Sequence, residues 1–345
     1  MRFGILEFPF GVLLGAAIAM GAAHAQPARP ASSPQAELEA LVKAARAEGE
    51  VFFYSGVTEN VAKRTGDAFT AKYGVKASFT RTAGVQTVRR FSTEAEAGTF
   101  VADFLVSGGA IEQFATDAAQ KGWVEAVSKA GIPSVSGGEF PARFLADYTA
   151  IIQISPWGIG YNTQKIAASE VPKDWADLLQ PRFKGHILVP DPRSAHAYSE
   201  FWDVMMEMHG ESFLTGLRNQ NMRNYASGVP ATNGLAAGEG TLAIPQSGGQ
   251  MQGVIAKGAP IALLVPERTT GFEIKLALTH RAKAKHPNAG RLFAHFVMSA
   301  EGNRIFNADP GSNSVYDLSG LPKRYQSPKR DAGDRLNKLA PLLGY

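Results

Sequence analysis

The chain has 345 residues, long enough for about two domains at the usual ~150 residues each. Hydrophobic residues make up 45% and charged residues 19%, which excludes a disordered or collagen-like chain, and the complete lack of cysteine excludes disulfides, cysteine metal sites and cysteine nucleophiles together. The formal net charge of +4 is small and scattered and no basic–aromatic stripe runs along the chain, so a nucleic-acid partner is not expected.

At the start, Arg2 precedes an apolar run from Phe8 to Ala23, and Ala23-His24-Ala25 places small residues at −3 and −1 before Gln26. The pattern predicts a secretory signal peptide over 1–25, cut after Ala25, although Glu7 leaves the leading region less basic than usual. The alternative is an uncleaved anchor helix, but the run is short for a span and ends in an A-x-A site. No cysteine follows the cut, so lipoprotein-type anchoring is excluded, and no later stretch reaches the ~18 apolar residues of a membrane span. Residues 26–33, rich in Pro, Ala and Ser, read as a flexible leader. The mature chain is expected to be soluble and exported to the periplasm.

Ser33-Pro34 opens a helix with Leu38, Leu41, Val42 and Ala45 on one face, and Gly49 ends it. Three strand–loop–helix units follow. Val51 to Tyr54 leads through Ser55-Gly56-Val57-Thr58 into a helix, and Gly74 to Thr80 leads through Arg81-Thr82-Ala83-Gly84 into another. Ala102 to Val106 leads through Ser107-Gly108-Gly109 into a third, running to Lys121. Largely apolar strands alternating with amphipathic helices predict a parallel sheet covered on both faces. Its strand-end loops lie along one edge, where open sheets bind ligands and where helix N-termini favour anions. Ordinary capping explains any one of these loops equally simply; three in register point to a site.

Ile151 to Asn162 breaks the pattern: a β-branched run meets Pro156, Trp157 and Gly158, and a second short extended piece follows. It reads as a crossing between two α/β lobes, with Trp157 near the seam. Beyond it, a short helix spans Trp175 to Leu179 and a strand spans His186 to Val189. Pro190-Asp191-Pro192-Arg193-Ser194-Ala195-His196 opens a long helix whose Met205, Met206 and Met208 read as core rather than metal ligands. A helix over Phe213 to Met222 follows, with Glu211 and Ser212 at its start. Next come the loop Tyr225-Ala226-Ser227-Gly228, a helix from Ala231 to Ala237, a strand from Thr241 to Ile244 and the loop Pro245-Gln246-Ser247-Gly248-Gly249. Ile261 to Val265 is the last strand of this lobe. The alternating strand Phe272-Ile274-Leu276-Leu278 carries the chain back, helices follow over Asn288 to Met298 and Ser299 to Asn307, and a last helical turn lies near Leu336 to Leu343. Lobe one is therefore expected to be discontinuous, 34–153 with 270–345, and lobe two to be 154–269, with crossings near 151–160 and 265–275 forming a two-strand hinge.

Taken together, VFFYSG, ADFLVSGG with QKGWVEAV, IGYNTQKI, PKDWADLLQPRFKGHILVPDP, LAAGEGTLAI, AKGAPIALLVPE, TGFEI and HPNAGRLFAHFVMSAEGNRIFN span nearly all of the mature chain. In this order they resemble the periplasmic substrate-binding proteins of bacterial ABC importers, in the group holding ferric-iron, thiamine, phosphonate and sugar-phosphate binders. The resemblance implies a two-lobe, type II periplasmic-binding-protein-like α/β fold. It also implies a monomer that closes on one small molecule and delivers it to an inner-membrane ABC permease, with no cofactor and no catalysis. Ferric-iron members carry adjacent tyrosines at about the position of Gln246-Ser247-Gly248-Gly249. An amide and a hydroxyl replace those hard anionic ligands, which argues against iron, and no metal site is expected.

The candidate ligand contacts are then Ser55, Gly56, Thr58, Thr82, Gly84, Ser107 and Gly108 from lobe one, and Trp157, Arg193, Ser194, His196, Ser227, Gln246 and Ser247 from lobe two. Arg193 and His196, three apart at a helix start, share a face. Arginine can hold a carboxylate, phosphonate or phosphate bidentately, or else form a surface salt bridge. Trp157 either walls the cleft or lies in core between the lobes. The expected ligand is a small organic or phosphorylated anion. The competing readings are a ferric-iron or iron-complex binder of the same fold, a periplasmic sensor presenting to a receptor, and a periplasmic hydrolase. The last lacks any GxSxG, HExxH or P-loop signature.

Overall fold

The computed structural model describes residues 33–82, 84–109, 111–329 and 335–345. The expected signal peptide and all of the leader except Ser33 lie outside the described residues. Helix α1 (Pro34–Glu48) starts as its Ser-Pro pair dictates: Ser33 Oγ accepts the N–H of Ala36 at 3.3 Å, and Pro34 takes the position where no N–H is needed. The alternation then runs β1 (Glu50–Ser55), α2 (Glu59–Tyr73), β2 (Lys76–Arg81), α3 (Val85–Glu96), β3 (Phe104–Gly108) and α4 (Ile111–Gln120). After β4 (Val124–Glu125) and the short α5 (Pro133–Ser136), strand β5 (Ala150–Pro156) closes the first passage.

The second passage holds β6 (Gly158–Asn162), β7 (Ile187–Pro190), α6 (His196–His209), α7 (Glu211–Asn219), β8 (Arg223–Tyr225), α8 (Gly228–Ala236), β9 (Leu242–Gln246), α9 (Gly248–Ile255) and β10 (Ile261–Leu264). The return adds β11 (Arg268–Thr269), β12 (Gly271–Thr279), α10 (Pro287–Met298), α11 (Ala300–Phe306), β13 (Arg324–Tyr325) and α12 (Leu336–Leu343).

Two main sheets result. In the first, β1 lies between β2 and β3, parallel to both, with Ser55 opposite Arg81 on one side and Val106 on the other. Strand β12 is antiparallel to β3, and β5 and β4 pair with β12. The sheet is thus mixed rather than wholly parallel, because β12 re-enters from the second lobe and runs against the strands that left the first. The second sheet has the order β10-β6-β9-β7-β8, with β6 antiparallel to β9 and β10. Each sheet carries apolar clusters of its own. The first is centred on Phe53, Phe69, Phe104, Phe293 and Phe296, with Phe53 stacked on Phe293 at 4.7 Å; the second is centred on Trp175, Phe201, Trp202 and Leu214.

The seam is one residue wide. Pro156 pairs with Gly271 in the first sheet and Gly158 with Gln246 in the second, leaving Trp157 between. Its N–H donates to the Thr270 carbonyl at 2.8 Å and its carbonyl accepts from Thr269 Oγ1 at 2.8 Å, so both crossing segments are clamped at this point. Gly271 is required there, since a Cβ would stand 3.0 Å from Pro156 Cα and 2.9 Å from the Ser155 carbonyl carbon. Residues 33–345 form one compact unit.

Some local readings differ. Trp175–Leu179 is a 3₁₀ helix closed by an Asp174 capping box, and α7 starts after Gly210 rather than from a Ser212 cap. Tyr225, read as the start of a loop, instead ends a short strand, Arg223–Tyr225, which pairs as β8 with β7. Helix α12 packs on the second core through Leu339 and Leu343, and the Tyr345 hydroxyl donates to Asn224 Oδ1 at 2.7 Å. The tail was expected in lobe one with the rest of 270–345; the apolar face of α12 finds its partner on α6 and α7 instead.

Candidate functional site

The three lobe-one loops meet because β1, β2 and β3 are neighbours and parallel, so their C-terminal ends align on one edge. The Gly56 N–H donates to the Val106 carbonyl at 2.6 Å and the Thr82 N–H to the Ser55 carbonyl at 2.9 Å. Ser107 Oγ donates to the Gly84 carbonyl at 3.4 Å, and the Thr82 and Thr87 hydroxyls are 2.8 Å apart. A Cβ on Gly56 would lie 2.9 Å from Ser107 Oγ, so the first and third loops touch only because this position is glycine. Ser55 and Ser107 are fully buried, and Ser55 Oγ makes no hydrogen bond. Thr58 is exposed before α2, and neither it nor Gly84 caps the helix that follows by a side-chain bond.

Lobe two brings a different set. Ser247 caps α9 in a capping box with Gln250, whose amide donates to Tyr198 Oη at 3.0 Å. Tyr198 also accepts the Gly228 N–H, and burial raises its pKa. Ser227, half-buried, gives no side-chain cap to α8. Gln246 is fully buried; its Oε1 accepts from Thr232 Oγ1 at 2.7 Å, and its Nε2 has no partner.

Three candidates stand elsewhere. The Trp157 ring is 2% exposed and packs on Phe272, Tyr198 and Phe201 at 5.0, 5.7 and 6.4 Å, within the second core. Arg193 is exposed and occupied: Nε and Nη2 reach Asp191 at 2.9 and 2.6 Å, with the guanidinium over the Tyr345 ring. Ser194, exposed beside it, donates to the Asp191 carbonyl at 2.7 Å.

His196 joins the two sets. A Cβ on Gly109, next to Gly108 at the end of β3, would overlap the His196 ring and lie 2.9 Å from Glu200 Oε1. The first turn of α6 is therefore seated on the lobe-one loop. Beneath it lies a charged cluster that the sequence reading did not single out. Lys275 Nζ is 2.5 Å from Glu112 Oε2 and 3.7 Å from Glu273 Oε2, all three side chains being almost wholly buried. Burial works against the Lys275 cation, but Glu273 and Glu112 outweigh it and its pKa is raised. Burial raises Glu273, with Lys275 opposing. Glu200 is pushed up to about 8, first by burial, with Lys275 lowering it and Glu273 and Glu112 raising it. A signal was available: Glu273 and Lys275, two apart in an apolar strand, must share one face. Among the described residues, no group of three or more His, Asp or Glu is arranged to hold a metal ion.

Comparison with known proteins agrees with this architecture. The family described as bacterial extracellular solute-binding protein matches residues 101–310. An uncharacterised protein of Haemophilus influenzae is 30% identical over 276 residues, covering 77% of this chain and 78% of that one. Among solved structures, the substrate binding protein of an ABC transporter from Agrobacterium tumefaciens superposes with TM-score 0.69 at 16% identity, over 85% of this chain and 94% of that one. The periplasmic binding protein AfuA from Actinobacillus pleuropneumoniae, with fructose-6-phosphate bound, gives 0.65 at 21% identity over 85% and 97%. Iron-bound HitA from Pseudomonas aeruginosa gives 0.65 at 18% identity over 86% and 99%. At these identities the structural matches speak for the fold.

Proposed function

Since the chain belongs to the bacterial extracellular solute-binding protein family, we propose that it is the periplasmic component of an ABC importer and carries a small organic or phosphorylated anion between its lobes. Lobe one is assigned to 34–153 with the return from 270, lobe two to 154–269 joined by α12. The mature chain is taken to begin after the signal peptide at 1–25 and to present its closed form to a membrane permease as a monomer.

One observation carries the anion reading. Helices α2 and α3 from one lobe and α6 from the other begin on the loops that meet in the cleft, and none has a side-chain cap. Elsewhere Ser33 and Ser299 close the starts of α1 and α11, and Glu48 takes the N–H groups of Asn288 and Ala289 at the start of α10. Open starts also occur at α5, α7, α8 and α12, so what matters is that α2, α3 and α6 begin on the loops proposed to line the cleft. Helix starts without side-chain caps present their dipoles to that region and favour negative charge, and the unpartnered hydroxyl of buried Ser55 adds a neutral donor.

Iron is disfavoured by the chemistry of lobe two. Tyr225, whose hydroxyl is bonded to Glu239, has its pKa raised to about 12 by burial and by that carboxylate, and Gln246 offers only an amide. Isothermal titration of the mature protein against carboxylates, phosphonates, sugar phosphates and ferric citrate tests the reading. Binding within the first three groups is expected. Exclusive binding of neutral or cationic solutes, or of iron, would overturn it.

A further inference from the structure

The buried charges near the crossing strand β12 have no place in an anion site made of neutral donors, and they lie where groups from both lobes meet that strand. Glu112 comes from α4 of the first lobe, Glu273 and Lys275 from β12, and His196 and Glu200 from α6 of the second. Lys275 is already matched by two carboxylates, Glu112 at 2.5 Å and Glu273 at 3.7 Å. Glu200, 5% exposed, stands against Gly109 and is the third acid around that single cation.

We propose that Glu200 is a proton-dependent latch: the lobes close while its carboxyl is neutral and seated on Gly109, and part when it ionises.

The physics is one of unmatched charge. An ionised Glu200 in the closed state would face Glu273 and Glu112 with the Lys275 charge already shared, in an interior that hydrates it poorly. The other groups facing it are His196 on its own helix, with Nε2 at 3.5 Å from Oε1 and a side chain 27% exposed, and the buried phenol of Tyr325 on β13. Opening moves α6 off Gly109 and lets water reach the carboxylate, which removes the penalty. The closed form therefore holds a proton that the open form releases.

The direction of the pH effect follows. With α6 seated on Gly109, burial first and the nearby acids next push the Glu200 carboxyl up to about 8, above the ordinary carboxyl range assigned to the open form. Between those values the closed state binds more protons, so the closed-to-open ratio falls with rising pH, by at most about tenfold per pH unit, and levels off above the upper value. The device is indifferent to which solute is carried, so it stands or falls separately from the anion reading.

The natural chain has no cysteine, so a pair introduced at Glu96 on α3 and Lys257 after α9, both exposed, can be spin-labelled cleanly. Interlobe distances are then measured on the solute-free mature protein from pH 5.5 to 9. The unsubstituted latch should shift from short to long distances as pH rises. Glu200→Gln, which keeps the shape and removes the charge, should stay short throughout, and Gly109→Ala, which collides with the His196 ring, should stay long. His196→Gln should leave the transition in place. Identical pH curves for the parent and Glu200→Gln would overturn the proposal, and so would a transition abolished by His196→Gln.

Discussion

The two sides of the proposed cleft are built from different materials. The lobe-one side is backbone and small hydroxyls: Ser55, Gly56, Thr82, Gly84 and Ser107, tied by hydrogen bonds of 2.6–3.4 Å across three strand ends. The lobe-two face rests on larger side chains held by longer-range partners, namely Tyr198 on Gln250, Gln246 on Thr232, and Glu200 over the Lys275 cluster. A side made of backbone has its geometry fixed by the sheet, and the charges that lobe one does hold, Glu112, Glu273 and Lys275, are paired with one another. A face made of packed side chains can carry charge that depends on the partner lobe. One side thus offers hydrogen-bonding groups whose positions the sheet sets, and the other offers groups whose positions depend on side-chain packing.

The largest effect belongs to the cation on β12 of the first sheet, against which Glu200 of the second lobe is set. Lys275→Met strands Glu112 and Glu273 in the interior, and breaking such a pair costs about 3–5 kcal/mol. In urea titrations this loss should shrink at acid pH, because Glu273, already raised by burial, is then protonated without its partner. A loss below about 1 kcal/mol, or one that grows in acid, would mean that the cluster is solvated and the contrast between the faces is overstated.

Next in size is the seam. Trp157→Ala removes a ring that is 2% exposed and should cost about 3–5 kcal/mol in the same assay. A nearly unchanged unfolding midpoint would put the ring in the cleft wall and make the lobe-two face more aromatic than described.

The smallest effect is expected at Arg193. Its guanidinium is exposed and held by Asp191, so Arg193→Ala should leave both the unfolding midpoint and solute affinity, by calorimetry, unchanged. A tenfold loss of affinity would return a cation to the cleft and weaken the case for neutral recognition.

How much of this could be read beforehand differs between the faces. The loops after β1, β2 and β3 were legible because strand–helix alternation by itself sends consecutive loops to one edge. Arg193 looked like a ligand contact from its helix-start position, yet Asp191 two residues earlier is near enough to occupy it. Trp157 was correctly placed at the seam, but whether its ring turned to cleft or core depended on Tyr198, Phe201 and Phe272, which are distant in sequence. Helix α12 was read as a helical turn, and its choice of core could not follow from its own eight residues.

The sequence alone determined the repeating α/β units, the two crossings near Trp157 and Gly271, and the serine- and glycine-rich loops, because each rests on local periodicity or on the backbone freedom of a few residues. Only the tertiary structure decided which charges are buried together. Glu112 and Lys275 are 163 positions apart, and Glu200 meets them from a helix on the other lobe. No local pattern encodes such a meeting; it exists because β12 returns between the lobes and brings its polar face to the place where α6 closes.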